Sequence, residues 1–396
     1  MTKRNIVVLG AGYGGIRVAQ ELNKRLLNQD KYQIVLVNKQ DYHTLRTQLY
    51  EPAVGTRDYN EVIIPLNEIV EGMSLVKGTV SEIDLHKRIV VINSTKEISF
   101  HYLVIALGSM PEYFGIKGLK ENSISLNNIN DAQVINDRID NLLVKKSEER
   151  NEAPLHFVVG GGGLTGVEFT GELASYLEEK WEKYNLSADQ YKITIIEAAN
   201  QLLPGMSEEI AAYAKQTLED LGVKVIINDL ISEVTPEKIY LKSSPEIKYS
   251  LLIWAGGIRG NSILAKSGIK TDGRGRILVN PYLQYIDDPY IYAVGDSALV
   301  KDPETGIPVL PTAQAAIQEG RQVAQNIYAD ITGQPLKEHQ PGLILLCITV
   351  GRGRGLGESK KFRIKGVSAA LLKKFIPIKY FFTIGGLKLL GRRGMK

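Results

Sequence analysis

The stretch Asn5-Ile-Val-Val-Leu-Gly10-Ala-Gly12-Tyr-Gly14-Gly15 stands near the start of the chain and decides its fold. A short β-branched run leads into the pattern G-x-G-x-x-G, formed by Gly10, Gly12 and Gly15, and a helical stretch follows from 16 to about 27. A second strand is predicted at Tyr32–Asn38, which completes a β–α–β unit around the glycines. In such a unit the first glycine permits a tight turn, the second lets the backbone approach a pyrophosphate, and the third lets helix and strand pack closely. The pattern therefore predicts a dinucleotide site rather than a plain glycine-rich turn.

The end of the second strand departs from the usual pattern. An Asp or Glu commonly stands there to bind the ribose hydroxyls, and this chain has Asn38 and Lys39. Asparagine can still hydrogen-bond a hydroxyl. The site is therefore retained, but this position does not discriminate between ligands.

A second glycine pattern lies about 150 residues further along the chain. The stretch is His156-Phe-Val-Val-Gly160-Gly161-Gly162-Gly163-Leu-Thr-Gly166, with G-x-G-x-x-G at Gly161, Gly163 and Gly166. A helical stretch from 167 to about 184 follows, and the next predicted strand, Tyr191–Ile196, ends in Glu197. A carboxylate here suits a ribose with a free 2′-hydroxyl and repels a 2′-phosphate. The second unit is therefore expected to bind NADH in preference to NADPH.

Two such units are compatible with serial domains or with insertion of one into the other. Three further segments bear on the choice, each of them a predicted strand that ends in small residues: 102–109, 251–257 and 290–296. The last ends in Gly295-Asp296, at the carboxyl end of its strand, where ligands bind in open α/β sheets.

In this order the five segments resemble the two-dinucleotide-binding-domain flavoproteins, the disulfide reductase-like superfamily, over about residues 3–330. The resemblance implies an α/β fold with two Rossmann-like dinucleotide-binding domains, the second inserted in the first. FAD is then expected on residues 1–110 and 252–330, and NADH on residues 111–251. Residues 331–396 are expected to add C-terminal strands and amphipathic, membrane-anchoring helices. The family pattern also implies that Asp296 hydrogen-bonds the FAD ribitol.

The chain has one cysteine, Cys347. A lone cysteine cannot form an internal disulfide, which excludes the cysteine pair of the disulfide reductases. Sulfide–quinone oxidoreductases also need reactive cysteines, and peroxidase-type relatives use a cysteine near position 40, where this chain has Asp41-Tyr42-His43-Thr44. Cys347 lies in a hydrophobic strand and is expected to pack as a small apolar residue. Electrons are therefore expected to leave the flavin directly.

The segment Pro311-Thr-Ala313-Gln314-Ala-Ala-Ile-Gln318 opens a helix predicted to reach about residue 327. Gln314 and Gln318 share one helical face because they are four residues apart, and the small residues between them leave room for a flat ring. The segment matches the Ala-Gln-x-x-x-Gln motif of the type II NADH dehydrogenases, the single-subunit NADH–quinone oxidoreductases. The stretches Gly-Ala-Gly-Tyr-Gly-Gly, Leu-Thr-Gly-Val-Glu and Trp-Ala-Gly-Gly-Ile-Arg-Gly match that family too.

That resemblance implies that Gln314 and Gln318 line a quinone pocket and hydrogen-bond the quinone carbonyls; the alternative is a helix start with solvated glutamines. It also implies that Glu168 lies near the nicotinamide and the flavin, where it positions NADH or, as the second choice, relays protons. No histidine spacing predicts a metal site. The expected cofactor contacts are Gly10, Gly12, Gly14, Gly15, Asn38, Lys39, Thr47, Val80, Ala106, Gly108, Gly161, Gly163, Leu164, Thr165, Gly166, Glu197, Gly256, Gly257, Asp296, Ala313 and Gln314.

The last residues form a basic, amphipathic tail. From Lys360 onward there are eleven Lys and Arg and no Asp or Glu, whereas the rest of the chain carries 37 basic and 44 acidic residues. Apolar residues from Val367 to Ile376 fall on one helical face with lysines at its margin, and Pro377 is expected to end that helix. A second amphipathic segment covers residues 380–393. Such short segments are typical of helices that lie in a membrane interface; the alternative is packing on the body or on a partner subunit.

These features predict a monotopic, FAD-containing NADH:quinone oxidoreductase on the cytoplasmic face of a prokaryotic membrane, which moves no ions across it. The family resemblance implies a homodimer, and no nucleic-acid partner is expected. One alternative is an NADH-dependent flavoprotein reductase of a protein acceptor such as ferredoxin, and another is a flavin-bearing binding protein that changes shape with NADH. The sequence leaves open the choice between menaquinone and ubiquinone, and the order in which the substrates bind.

Overall fold

The structure, a computed structural model, describes residues 3–27, 29–148, 153–180, 187–243 and 245–393. Parallel sheets and helices alternate along the chain, as expected for an α/β protein. The helices within these residues are α1 (Tyr13–Arg25), α2 (Tyr50–Val54), α3 (Leu119–Asn122), α4 (Ile129–Glu148), α5 (Leu164–Lys180), α6 (Glu208–Asp220), α7 (Ile263–Lys266), α8 (Ala313–Ile331) and α9 (Val367–Arg393).

The first sheet is built from both ends of the predicted outer domain. From edge to edge it contains β21 (Gln284–Tyr285), β22 (Asp288–Ala293), β9 (Tyr102–Ile105), β1 (Arg4–Leu9), β2 (Tyr32–Asn38) and β5 (Ser74–Lys77). The strands from β22 to β5 run parallel. Ile6 to Leu9 are fully buried, as expected for a strand covered on both faces.

The second sheet contains only residues that lie between β9 and β21 in sequence. Its strands, all parallel, are β11 (Ile124–Ser125), β18 (Leu251–Trp254), β12 (Leu155–Gly160), β13 (Tyr191–Ile196) and β14 (Val223–Ile226). The chain therefore leaves the first sheet, builds the second, and returns, so the predicted fold of two Rossmann-like units, one inserted in the other, is confirmed. The domain limits at residues 110, 251 and 330 stay predictions.

The remaining strands form smaller sheets. One of them joins Ser109 to Gly260, at the two points where the chain crosses between the large sheets. These sheets are β3 (Tyr42–Thr44) with β4 (Ile63–Pro65); β6 (Val80–Asp84), β7 (Ile89–Ile92) and β8 (Lys96–Ser99); β10 (Ser109–Pro111) with β19 (Ile258–Gly260); β15 (Ile231–Val234), β16 (Lys238–Leu241) and β17 (Ile247–Lys248); β20 (Ile277–Leu278) with β23 (Ala298–Leu299); and β24 (Leu346–Thr349), β25 (Gly355–Glu358) and β26 (Arg363–Lys365).

The C-terminal helix α9 differs from the prediction. It continues through Pro377 and is interrupted at Gly386, which has φ 62° and ψ −157°. A proline inside a helix costs about 3 kcal/mol, but burial of one large apolar side chain contributes about 2 kcal/mol. The helix buries Phe381, Ile384 and Leu389 beyond the proline, so tertiary packing outweighs the proline and the predicted helix end at Pro377 is wrong. None of the helices in the described ranges is long and apolar enough to cross a membrane.

Candidate functional site

The first glycine loop follows β1 and has the geometry that its three glycines predict. Gly10 has φ 99°, a conformation that side chains with a Cβ rarely adopt. A Cβ on Gly15 would overlap the carbonyl oxygen of Gly10, whereas a Cβ on Gly12 would meet no atom within 4 Å. The loop is therefore closed on its inner side and open at Gly12, where a pyrophosphate can approach the backbone.

The loop is held from outside by two side chains. Asn38 Oδ1 accepts a hydrogen bond of 2.9 Å from the amide of Ala11, and its Nδ2 donates to the carbonyl of Gln40 at 2.8 Å. His43 Nδ1 donates to the carbonyl oxygen of Ala11 at 2.8 Å. The amide of Asn38, predicted to contact a ribose, thus orients the loop, while the side chain of the neighbouring Lys39 is exposed.

The predicted Gly-Asp turn lies at the same edge of the first sheet, after β22. Asp296 Oδ2 accepts a hydrogen bond from the Ser109 hydroxyl at 2.6 Å, and Arg46 Nη1 lies 3.7 Å from the same oxygen. The amide of Gly295 donates to Glu319 Oε2 at 2.6 Å. Burial, with a smaller contribution from Asp296, raises the pKa of Glu319 to about 7. A carboxylate, a hydroxyl and a guanidinium therefore converge beside the glycine loop, a set that suits the hydroxyls and phosphates of a dinucleotide.

Three other residues predicted to contact the first cofactor, Ala106, Gly108 and Thr47, border this region. Ala106 lies against Gly10, since a Cβ on Gly10 would overlap the Ala106 carbonyl, and Gly108 lies beside Arg46. Thr47 Oγ1 shares a hydrogen bond of 3.0 Å with the Tyr13 hydroxyl. Val80 begins β6, in the small sheet with β7 and β8.

The second glycine loop repeats the first, after β12. Gly161 has φ 107°, and a Cβ on Gly166 would overlap the carbonyl oxygen of Gly161. A Cβ on Gly163 would again meet no atom within 4 Å. Leu164 and Thr165 begin α5 immediately after this opening. The two loops therefore offer equivalent openings to two separate dinucleotides.

Glu197 directly follows β13 and reaches this second loop. Its Oε2 accepts from the amide of Gly162 at 2.6 Å, and its Oε1 accepts from the amide of Ala199 at 2.7 Å. Gly256 packs against Gly161, and Gly257 against Phe114. The carboxylate thus stands where an adenosine ribose on the second loop is expected.

Helix α8 opens beside the first glycine loop. A Cβ on Gly14 would come within 3.2 Å of the Ala316 carbonyl oxygen, and one on Gly320 within 2.6 Å of the Gly14 carbonyl oxygen, so α1 and α8 cross with their backbones in close approach. Thr312 caps α8 by accepting from the amide of Ala315 at 3.1 Å, and Ala313 is the first residue of the helix. The fold therefore brings the predicted acceptor motif next to the predicted flavin loop.

The two glutamines of that motif bind backbone groups of the segment before β24. Gln314 Nε2 donates to the Leu345 carbonyl at 2.8 Å, and Gln314 Oε1 accepts from the Leu345 amide at 3.1 Å. Gln318 Oε1 accepts from the amide of Gly342 at 2.7 Å. The glutamines thus face a common neighbour, but in this conformation their amides hold residues 342–345 against the helix.

Glu168 lies in α5, five residues after Gly163, and forms an ion pair with a residue that the sequence did not single out. Lys373 Nζ of α9 lies 2.8 Å from Glu168 Oε1, and both side chains are about nine-tenths buried. Burial raises the pKa of Glu168, and Lys373 only partly offsets this effect. Burial also acts to lower the pKa of Lys373, but the Glu168 carboxylate outweighs it and keeps that pKa raised. The C-terminal helix therefore places a buried cation near the start of α5.

The surroundings of this pair include the Tyr50 ring and two further carboxylates, Glu51 and Glu172, which act electrostatically on it. Lys373 Nζ lies 6.0 Å from the centroid of the Tyr50 ring, and Thr349 donates a hydrogen bond of 3.0 Å to the Tyr50 hydroxyl. Cys347 is buried and contacts the Ala369 carbonyl oxygen at 3.5 Å. Burial raises the pKa of its thiol to about 11. The cysteine is thus a protonated, packed side chain in an interior that stabilises charge poorly.

The other face of α9 is apolar and exposed. We name the exposed ridge from its large apolar side chains, each more than half exposed: Val367, Leu371, Phe375, Phe382 and Leu387. The first four lie within about 80° of one another around the helix, and the exposed Lys374 and Lys379 flank them. The predicted amphipathic character is thus present, but Lys373, expected at the apolar margin, points inward instead.

The sequence analysis did not identify three residues that the structure makes functional candidates: Arg46, His43 and Lys373. Arg46 follows β3 and begins a single 3-10 turn, Arg46–Gln48, which has no recognisable sequence motif. Lys373 is one of several lysines in a basic tail, and only the position of α5 distinguishes it from its neighbours. A buried imidazole such as that of His43 leaves no signal in the sequence.

The comparisons with known proteins agree with this geometry. The chain matches the pyridine nucleotide-disulphide oxidoreductase family over residues 4–320. It is 31% identical to the type II NADH:quinone oxidoreductase of Staphylococcus saprophyticus, over 99% of this chain and 98% of that protein. It is 32% identical to the enzyme of the same name from Staphylococcus aureus, over the same shares. Among solved structures, NDH2 from Plasmodium falciparum in complex with NADH has a similar fold, with a TM-score of 0.85 at 20% identity over 99% of this chain and 97% of that chain.

Proposed function

The chain belongs to the pyridine nucleotide-disulphide oxidoreductase family and, within it, to the type II NADH:quinone oxidoreductases, and on that premise we propose how its residues divide the reaction. It is an FAD-dependent enzyme that oxidises NADH and reduces a quinone. Bound FAD supplies the carrier that takes two electrons from NADH and hands them to the acceptor. The balanced reaction turns NADH, a quinone and one proton into NAD⁺ and a quinol. The protein must therefore orient two partners and admit one proton.

We assign FAD to the first glycine loop and NADH to the second. The open space at Gly12 and at Gly163 supports this assignment, because a pyrophosphate needs close approach to the backbone at these positions. The cluster of Asp296, Ser109 and Arg46 supports a second contact to FAD. Glu197 binds the adenosine ribose of NADH and excludes a 2′-phosphate.

The observation that carries the proposal is the buried ion pair between Lys373 and Glu168. It joins the C-terminal helix to the helix that follows the NADH loop. A cation in such a weakly solvated site stabilises negative charge that develops on a nearby quinone oxygen. Glu168 holds the ammonium in place and positions the nicotinamide; we rank this role above proton relay.

Gln314 and Gln318 form the quinone side of the site. Their amides hold Leu345 and Gly342. Once residues 342–345 move aside, the amide nitrogens can donate to the carbonyl oxygens of a quinone, and the amide oxygens can accept from the hydroxyls of the quinol. Ala315 and Ala316, which lie between them, are buried, and Gly14 of the flavin loop packs against Ala316. The quinone thus enters between the opening of α8 and the segment before β24.

The exposed ridge of α9 is assigned to the surface of a membrane. An apolar stripe flanked by lysines lies stably at the boundary between acyl chains and anionic headgroups. The same helix carries Lys373 on its inner face, so the membrane-bound helix stands next to the quinone site. The location on the cytoplasmic face and the homodimer stay predictions of the sequence analysis.

The direct test follows both half-reactions in lipid. Purified enzyme in anionic vesicles receives NADH and then a menaquinone or a ubiquinone analogue, while the flavin absorbance is recorded. We expect NADH to bleach the flavin and the quinone to restore it. A flavin that stays reduced with both quinones, but is reoxidised by a ferredoxin, would favour the reductase alternative instead.

A further inference from the structure

The C-terminal helix reaches the first glycine loop through two buried side chains. The Tyr380 hydroxyl lies 3.0 Å from His43 Nε2, and His43 Nδ1 lies 2.8 Å from the carbonyl oxygen of Ala11. Ala11 stands between Gly10 and Gly12, and its amide is bound by Asn38. The amide and the carbonyl of Ala11 are thus both hydrogen-bonded to side chains. The side chain on the carbonyl, His43, is bonded in turn to Tyr380 of the C-terminal helix.

The direction of the two hydrogen bonds follows from the chemistry of the partners. His43 is completely buried, and burial lowers its pKa to about 4, so the imidazole is neutral at pH 7. A carbonyl oxygen only accepts, so the proton of the imidazole is on Nδ1. Nε2 is then an acceptor, and the Tyr380 hydroxyl donates to it. Without that hydroxyl, a buried acceptor loses its partner, which is unfavourable.

Packing makes this connection stiff. The ring of Tyr13, the residue after Gly12, lies 5.0 Å from the ring of His43 and 5.0 Å from the ring of Tyr380. Gln20 Nε2 donates to the Ile384 carbonyl at 2.6 Å, and the Arg393 guanidinium donates to the Asn60 carbonyl at 2.9 Å. The second half of α9 is therefore docked against α1, the helix that follows the loop, and against the residues just before β4.

We propose that Tyr380 and His43 couple docking of the C-terminal helix to retention of FAD, so that each favours the other. The inference rests on the assignment of FAD to the first glycine loop. A loop fixed in its binding conformation binds its ligand more tightly, and the coupling of two equilibria is reciprocal. Tail docking therefore slows the loss of FAD, and bound FAD holds the tail in place.

The first experiment measures FAD release. Flavin fluorescence rises as FAD leaves the diluted holoenzyme, and Tyr380→Phe keeps the ring but removes the hydroxyl. We expect release to become about fivefold faster, the effect of one lost buried hydrogen bond. Tyr249→Phe is the matched control, because its hydroxyl donates to the Thr235 carbonyl at 2.7 Å in the second unit. Equal release rates in the two variants would overturn the proposal.

The second experiment measures the reverse effect, that of bound FAD on docking of the C-terminal helix, and it uses the wild-type enzyme. Lys379 is exposed and directly precedes Tyr380, so trypsin cleavage after it reports undocking of the tail. In the wild-type enzyme we expect cleavage there to slow as free FAD is raised, over the range that saturates the flavin site. Cleavage after the exposed Lys120 serves as the control. FAD-independent cleavage after Lys379 overturns the coupling, whereas failure to bind FAD at all would remove the cofactor assignment beneath it.

A double variant tests whether the two residues act as one path. His43→Ala and Tyr380→Phe remove the same connection, so we expect the combined variant to release FAD no faster than His43→Ala alone. Effects that multiply would mean that the two side chains act independently, which contradicts the proposal.

Discussion

The side-chain amide of Gln314 exchanges two hydrogen bonds with the backbone of Leu345, one in each direction. Gln318, one helical turn on, accepts from the amide of Gly342. The opening of α8 is therefore covered by backbone groups, and in the proposed site a quinone takes their place. Residues 342–345 act as a strap that donates two backbone amides and offers one carbonyl, and a quinone carbonyl can take the place of the Leu345 carbonyl on Gln314.

Replacing Gln318 separates the quinone step from the NADH step. Gln318→Leu removes a group that can bind a quinone oxygen, so we expect the quinone KM to rise about tenfold. Reduction of the flavin by NADH in stopped-flow measurements is expected to stay unchanged. Gln322→Leu, four residues further along α8, is the control. Equal damage to both half-reactions would argue for misfolding.

The ion pair between Glu168 and Lys373 is expected to show strong coupling in stability. Lys373→Met leaves a buried carboxylate without its cation, which costs about 3 kcal/mol in the free energy of unfolding. Glu168→Gln combined with Lys373→Met removes both charges and should recover most of that loss. Urea denaturation with saturating FAD measures both. The exposed neighbour Lys374→Met should change little; additive losses in the double variant would contradict a direct pair.

Glu197 is expected to set the preference for NADH. Glu197→Ser removes the charge that repels a 2′-phosphate, so the ratio of kcat/KM for NADH over NADPH should fall about tenfold or more. The exposed Glu237→Ser in the same unit is the control for a general change of charge. An unchanged ratio of kcat/KM for NADH over NADPH in Glu197→Ser would show that another residue sets this preference.

Glu319 gives a pH-dependent effect with a definite sign. Its pKa in the folded protein is raised to about 7 by burial, above the ordinary value of 4.5. The Glu319 carboxyl therefore ionises less readily in the folded state than in the unfolded state. Its ionisation lowers the free energy of unfolding progressively as pH rises from about 4.5 to above 7. Glu319→Gln keeps an acceptor for the Gly295 amide and removes that cost. We expect the variant to be more stable by about 3 kcal/mol at pH 8 and little changed at pH 4; a pH-independent difference would refute the assignment.

The exposed ridge predicts membrane binding that can be removed without unfolding. Leu371→Ser, Phe375→Ser and Leu387→Ser together should weaken binding to anionic vesicles about a hundredfold, since each side chain loses apolar burial in the lipid. Val134→Ser with Val144→Ser, exposed apolar residues on α4, is the matched control. NADH-driven flavin reduction should persist in all of them. Vesicle binding that survives the triple change would place the membrane contact elsewhere.

The glycine loops could be predicted because each depends on neighbours in sequence. Strands β2 and β13 have the predicted bounds, and the third glycine of each loop packs as the pattern requires. Lys373 and Tyr380 could not be assigned in this way. Tyr380 is 337 residues from His43 in sequence, and no periodicity links such pairs. The helix end predicted at Pro377 was wrong for a related reason. The packing that stabilises the helix beyond the proline comes from elements distant in sequence.

The inward face of α9 also limits how the enzyme can be made water-soluble. Cutting the chain before residue 367 removes the exposed ridge, but it also removes the cation beside Glu168 and the hydroxyl that donates to His43. Such a truncated protein is expected to be defective for reasons unrelated to lipid. Resurfacing the outer side chains, with the backbone intact, is the route to a detergent-free enzyme for inhibitor screening.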